Sequence, residues 1–76
     1  MNVYPNPSNG EFVVKLGENV VNPTVEIVDL QGRVVYNNAL FGSINEIPLK
    51  ILIVKGNFVI KVTTNEQQVI KMITIL

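Results

Sequence analysis

The 76-residue sequence predicts an all-β fold: a small immunoglobulin-like β-sandwich of about seven short, mainly antiparallel strands. Three features point there. Apolar and polar residues alternate with a two-residue period, as in residues 11–16, where Phe12, Val14 and Leu16 share one face and Glu11, Val13 and Lys15 the other. Turn-forming residues recur roughly every 8–12 positions, the spacing of linked short strands. No window of helical periodicity is long enough to specify a helix. A chain of this length has room for one core, so residues 1–76 form a single domain.

Residues 25–36, VEIVDLQGRVVY, organise the rest. Two β-type runs flank a polar turn, in which Gly32 suits a position with positive φ and Asp29 can bond the backbone two residues on. Ahead of this hairpin, residues 2–4 predict a short first strand. The segment Pro5-Asn6-Pro7-Ser8-Asn9-Gly10 then places the chain at an edge or corner, because proline cannot donate to a ladder. The second strand covers residues 11–16, a loop runs from 17 to 23, and the third strand covers 24–28. In that strand Val25 and Ile27 point one way and Thr24, Glu26 and Val28 the other.

Asn37 and Asn38 are expected to end the fourth strand. In residues 39–55, Leu40, Phe41, Ile44 and Ile47 call for burial, while Gly42, Ser43, Asn45 and Pro48 interrupt any long element. A short strand near 44–47 followed by an irregular crossing fits best; the alternatives are a helical turn with Leu49, Leu52 and Ile53 on one side, or two or three short strands. Gly56 opens a strand over 57–64 with Phe58, Ile60 and Val62 on one face. Asn65-Glu66-Gln67 turns the chain into residues 68–76. That last strand, with Lys71 as its only charge, must be covered or paired to avoid aggregation.

Six basic and six acidic residues give zero net charge, and the basic ones are scattered singly. This excludes the basic patch that nucleic acids or anionic membranes require. With no Cys there is neither disulfide nor thiolate chemistry, and with no His the commonest general base and transition-metal ligand are missing. Neither cofactor nor metal is expected. Ser8 and Ser43 lack a histidine partner and Asp29 is the only aspartate, so no catalytic constellation is readable. Mean hydropathy is +0.34, too apolar for a disordered tail. No apolar run reaches the ~18–20 residues of a membrane helix. No basic-then-apolar leader opens the chain, and Met1 before a turn-rich segment suggests a fragment cut from something longer.

Four blocks in order, VYPNPSNGEFVVKL, VEIVDLQGRVVY, KGNFVIKVTT and VIKMITIL, together resemble the C-terminal sorting domain of the type IX secretion system of Bacteroidetes-type bacteria. The resemblance covers residues 3–76. It implies a non-catalytic address carried at the end of a cargo protein and recognised by the outer-membrane translocon and its shuttle proteins. The address then serves as substrate of a sortase-like peptidase, which cleaves upstream and often attaches the cargo to surface lipopolysaccharide. Pro5, Asn6, Pro7 and Gly10 match the opening motif; Asp29, Gly32 and Arg33 match a central D-x-x-G-R element. Gly56 and Phe58 match a glycine–aromatic block, with Lys61 and Val62 after it. Lys71, Ile73, Ile75 and Leu76 match the final strand.

Each of these residues also has a plainer structural role. Gly32, Asp29 and Gly56 are turn and strand-entry formers. Arg33 can pair with Asp29 or Glu26, and surface pairs are worth only ~0–1 kcal/mol. Lys71 is either a docking contact or a charge that guards an edge strand. Recognition through an exposed edge, either the last strand or the 29–33 hairpin, is the expected mechanism. Deleting the final residues is then expected to abolish export while leaving the sandwich folded. Pairing or swapping of edge strands offers a route to a dimer. The alternative function is a generic immunoglobulin-like spacer or a carbohydrate-binding or adhesion module. Against sugar binding, the aromatics are only Tyr4, Phe12, Tyr36, Phe41 and Phe58, and Phe12 and Phe58 fall on inward registers.

Overall fold

The computed structural model describes residues 1–51 and 55–76. They form seven strands: β1 (Asn2–Tyr4), β2 (Glu11–Val21), β3 (Thr24–Asp29), β4 (Val34–Ala39), β5 (Ser43–Lys50), β6 (Gly56–Thr63) and β7 (Gln68–Ile75). Two antiparallel sheets pack as a sandwich, one with the order β1-β2-β5 and one with β4-β3-β6-β7. This three-plus-four division, with β2 beside β5 and β3 beside β6, is an immunoglobulin-like arrangement in which the fourth strand joins the sheet of the third.

Alternation along the strands fills the core between the sheets. Phe12 and Val14 of β2, Val25 and Ile27 of β3, Ile47 and Leu49 of β5, Phe58, Ile60 and Val62 of β6, and Ile73 and Ile75 of β7 are all buried. Ile27 and Ile60 are fully enclosed and in register with each other at the centre of the larger sheet. Truncating a core Ile to Ala costs about 2–5 kcal/mol, so these two positions dominate the stability of so small a domain.

Several expectations are corrected. Residues 17–21 belong to β2 rather than a loop. A register shift between Lys15 and Val20 absorbs Gly17, whose φ of 84° breaks the pleat without ending the strand. β5 runs unbroken through Pro48 because among the described residues it has a strand neighbour on one side only, and an edge tolerates a residue that cannot donate. Leu49 lies in this strand; Leu52 and Ile53, the rest of the alternative helical turn, lie outside the described residues. Phe41 is 83 % exposed, because Leu40 takes the position against the core and its N–H bonds the Pro23 carbonyl. Val28 points outward as expected, yet only 7 % of it is exposed. Its row neighbours Val34 and Val59 form an apolar line across the outer face of the sheet, which ends at Met72.

Candidate functional site

The turn between β3 and β4 is built around one carboxylate. Asp29 Oδ1 accepts the N–H groups of Gln31 and Arg33, each at 2.9 Å, and Oδ2 accepts Arg33 Nε at 2.7 Å. The backbone closes the same turn, with Asp29 N–H donating to the Arg33 carbonyl and Gly32 N–H to the Asp29 carbonyl. Gly32 has φ of 87°, the conformation a side chain disfavours. The Arg33 backbone N–H leads the effects that hold the Asp29 carboxyl below its ordinary value; the hydrogen bonds from the Arg33 side chain and Gln31 add to it, against some desolvation. Of the two partners open to Arg33 in the sequence, the structure selects Asp29; Glu26 instead accepts Asn37 Nδ2 at 3.3 Å.

This turn stands at the end of a row that crosses the larger sheet. Asp29 is in register with Phe58, and Phe58 with Ile73. One step along, Gly56 faces Ile75, and Asn57 accepts the Thr74 hydroxyl at 2.8 Å. The turn and the start of β6 enclose an open groove of about 510 Å³, with Leu30, Val34 and Phe58 among its walls and Arg33 and Lys55 as its cations.

The opening motif completes the row from the far side. After β1 the chain crosses to the other sheet and lies beside β7. Asn6 Nδ2 donates to the Met72 carbonyl (3.3 Å) and Asn6 Oδ1 accepts the Thr74 N–H (3.1 Å). Ser8 then pairs with Ile75 in parallel fashion, donating to the Thr74 carbonyl at 2.9 Å and accepting the Leu76 N–H at 2.8 Å. The prolines that flank Asn6 have no N–H to leave unpaired in this strap. Ser8 is buried, and its Oγ accepts Gly10 N–H, which removes it from consideration as an exposed nucleophile. Gly10 is required twice over. Its φ is 106°, and a Cβ there would stand 2.5 Å from the Ile51 carbonyl oxygen, while the Gly10 carbonyl accepts the Ile51 N–H.

The sandwich therefore brings Asn6, Gly10, Asp29, Gly32, Arg33, Gly56, Phe58, Ile75 and Leu76 to one end, with Pro5 and Pro7 on either side of Asn6. Lys71 lies apart, in mid-β7. It is in register with the enclosed Ile60, on the core side of the sheet, but stays exposed. Sequence reasoning missed Ser8, Asn57 and Thr74, whose roles depend on contacts across the sheet rather than on local spacing. Among the described residues no group of three or more acidic side chains gathers to hold a metal ion.

No curated protein matches the chain. A family model described as the secretion system C-terminal sorting domain matches residues 2–76. With the four blocks in order and gathered at one end of an all-β sandwich, the chain belongs to the family of secretion system C-terminal sorting domains, the signals for type IX export across the outer membrane to the cell surface or beyond.

Proposed function

We propose that this domain acts without catalysis, as an address that the type IX machinery reads in its folded form at the end where the four blocks meet. The supporting observation is the row Asp29–Phe58–Ile73, closed on its outer side by Asn6. Four segments separated by tens of residues contribute to one surface, so a folded domain carries the signal and an unfolded chain does not. The readers in this proposal are the outer-membrane translocon and its shuttle proteins. The cargo precedes β1, residues 1–76 being the terminal piece of a longer secreted protein, and a sortase-like peptidase removes the domain by cutting upstream of it.

The test is a fluorescent reporter fused ahead of residues 2–76 and expressed in a bacterium with the type IX machinery and in a strain without it. Reporter outside the first and trapped in the periplasm of the second is the expected result. Release is expected to shorten the reporter fusion by about the 8.4 kDa of the domain. Retention in both strains overturns the address function, and full-length reporter outside the cell overturns the cleavage.

A further inference from the structure

We infer that the outer edge of β4 is a strand-addition site for an extended segment of the secretion apparatus, which places a carboxylate against Arg33 at one end and an apolar side chain on Phe41 at the other. This rests on the address reading above and adds a contact to it, one that starts at the same end with Arg33 and runs along β4 away from it.

The other three edges are closed by devices that discourage added strands. β1 has three residues and runs straight into Pro5. β5 carries Pro48 together with Glu46 and Lys50. β7 is covered by the strap of Asn6 and Ser8 over residues 72–76, and the remainder of the strand bears Lys71. β4, VVYNNA, has no charge, no proline and no cover among the described residues, and its bulge at Val35 lies at the Arg33 end, clear of Asn37 and Ala39.

Its unpaired groups can be named. Leu40 N–H bonds the Pro23 carbonyl, and Asn38 is in register with Val25. In an antiparallel ladder alternate residues bond the same neighbour, so Asn37 and Ala39 turn their N–H and C=O groups away from β3. Arg33 stands at the entrance of this edge. Among the described residues only Asp29 engages the Arg33 side chain, through Nε, and that side chain is 77 % exposed, which leaves the other guanidinium donors to a carboxylate. Phe41 stands just beyond the exit, 83 % exposed and outside the core formed by the described residues. A second copy of the chain fits poorly. Residues 33–42 hold no carboxylate, so antiparallel self-pairing through β4 offers Arg33 no anion.

The test places a photo-crosslinking amino acid at Ala39 in the exported reporter fusion and compares it with one at Lys50 on the β5 edge. Crosslinking from position 39, not 50, to a subunit of the type IX machinery is expected. Ala39→Pro removes an outward N–H at an edge position that tolerates proline, and Phe41→Ser changes an exposed side chain. Each is expected to reduce export by roughly tenfold or more without unfolding the domain, the scale of losing one or two edge contacts. Normal export of both variants, or equal crosslinking from both edges, overturns the proposal while leaving the address function standing. A dimer in sedimentation that Ala39→Pro dissolves also overturns it, in favour of self-pairing. If Ala39→Pro does not fold, Phe41→Ser and the crosslinks decide. Failure of the unmodified fusion to leave the cell removes the address reading itself.

Discussion

Asn6 and Thr74 are 68 residues apart in sequence, yet the Thr74 N–H donates to Asn6 Oδ1 across 3.1 Å, and the other end of the same amide reaches the Met72 carbonyl. One side chain thus stands in for a strand neighbour along the edge of β7. This joins the first sequence block to the last.

Asn6→Ala removes both bonds. At about 0.5–1.5 kcal/mol each, less for exposed groups, the expected loss is roughly 1–2 kcal/mol. Amide exchange should locate it, with Thr74 and Leu76 exchanging faster and the Ile27 and Ile60 amides little changed. Uniform acceleration across the sheet would mean that the strap is not a local element.

Gly10→Ala should be among the most damaging single changes outside the core. Forcing a side chain into a sparsely populated backbone region costs about 1–3 kcal/mol, and the new Cβ meets the Ile51 carbonyl at 2.5 Å, where backbone has to move. Thermal unfolding checks this. Gly32→Ala is the control: its backbone is similarly strained, but beyond its two chain neighbours no atom of the described residues lies within 4 Å of the added carbon, so it should cost less.

The depressed carboxyl of Asp29 gives stability a defined pH dependence. A carboxylate whose folded-state pKa lies below its unfolded value, about 3.9, stabilises the fold fully above that value. The contribution is lost as pH falls through the folded value. Wild type should therefore lose stability on acidification below about pH 4, and Asp29→Asn should lose less over the same range. Equal acid sensitivity of the two, in urea titrations at matched pH, would contradict the turn's dependence on that charge.

Lys71 occupies a core-side register at an edge and stays exposed, an arrangement that discourages strand addition. Lys71→Ile leaves the sandwich folded and makes it associate, which light scattering after size exclusion would read. A monomeric variant with lost export would instead assign Lys71 to docking.

Much of this was legible in the sequence because it is local. The Asp29-to-Gln31 bond, the positive φ of Gly32 and the inward faces of β2 and β6 follow from turn chemistry and period two. The course of β5 was not legible, because the tolerance for Pro48 comes from its place at an edge, a property of topology rather than of the residue. Phe41 was expected inside; Leu40 beside it competes for the same position and wins through its bond to Pro23. The strap was invisible, since nothing near Asn6 in sequence announces a partner at Met72 or Thr74. That contact also corrects the expected truncation. Ile73 and Ile75 are 2 % and 5 % exposed, so deleting the final residues removes core as well as signal. A clean separation of recognition from folding has to be made at the exposed turn instead.

The most direct measurement of the central claim is therefore export of the reporter carrying a domain in which residues 29–33 are replaced by a two-residue Asn-Gly hairpin turn. It would be paired with the melting temperature of the same domain. A folded turn variant retained in the periplasm, beside an exported wild type, is the predicted result. Equal export of the two would show that the end where the four blocks meet is not what the machinery reads.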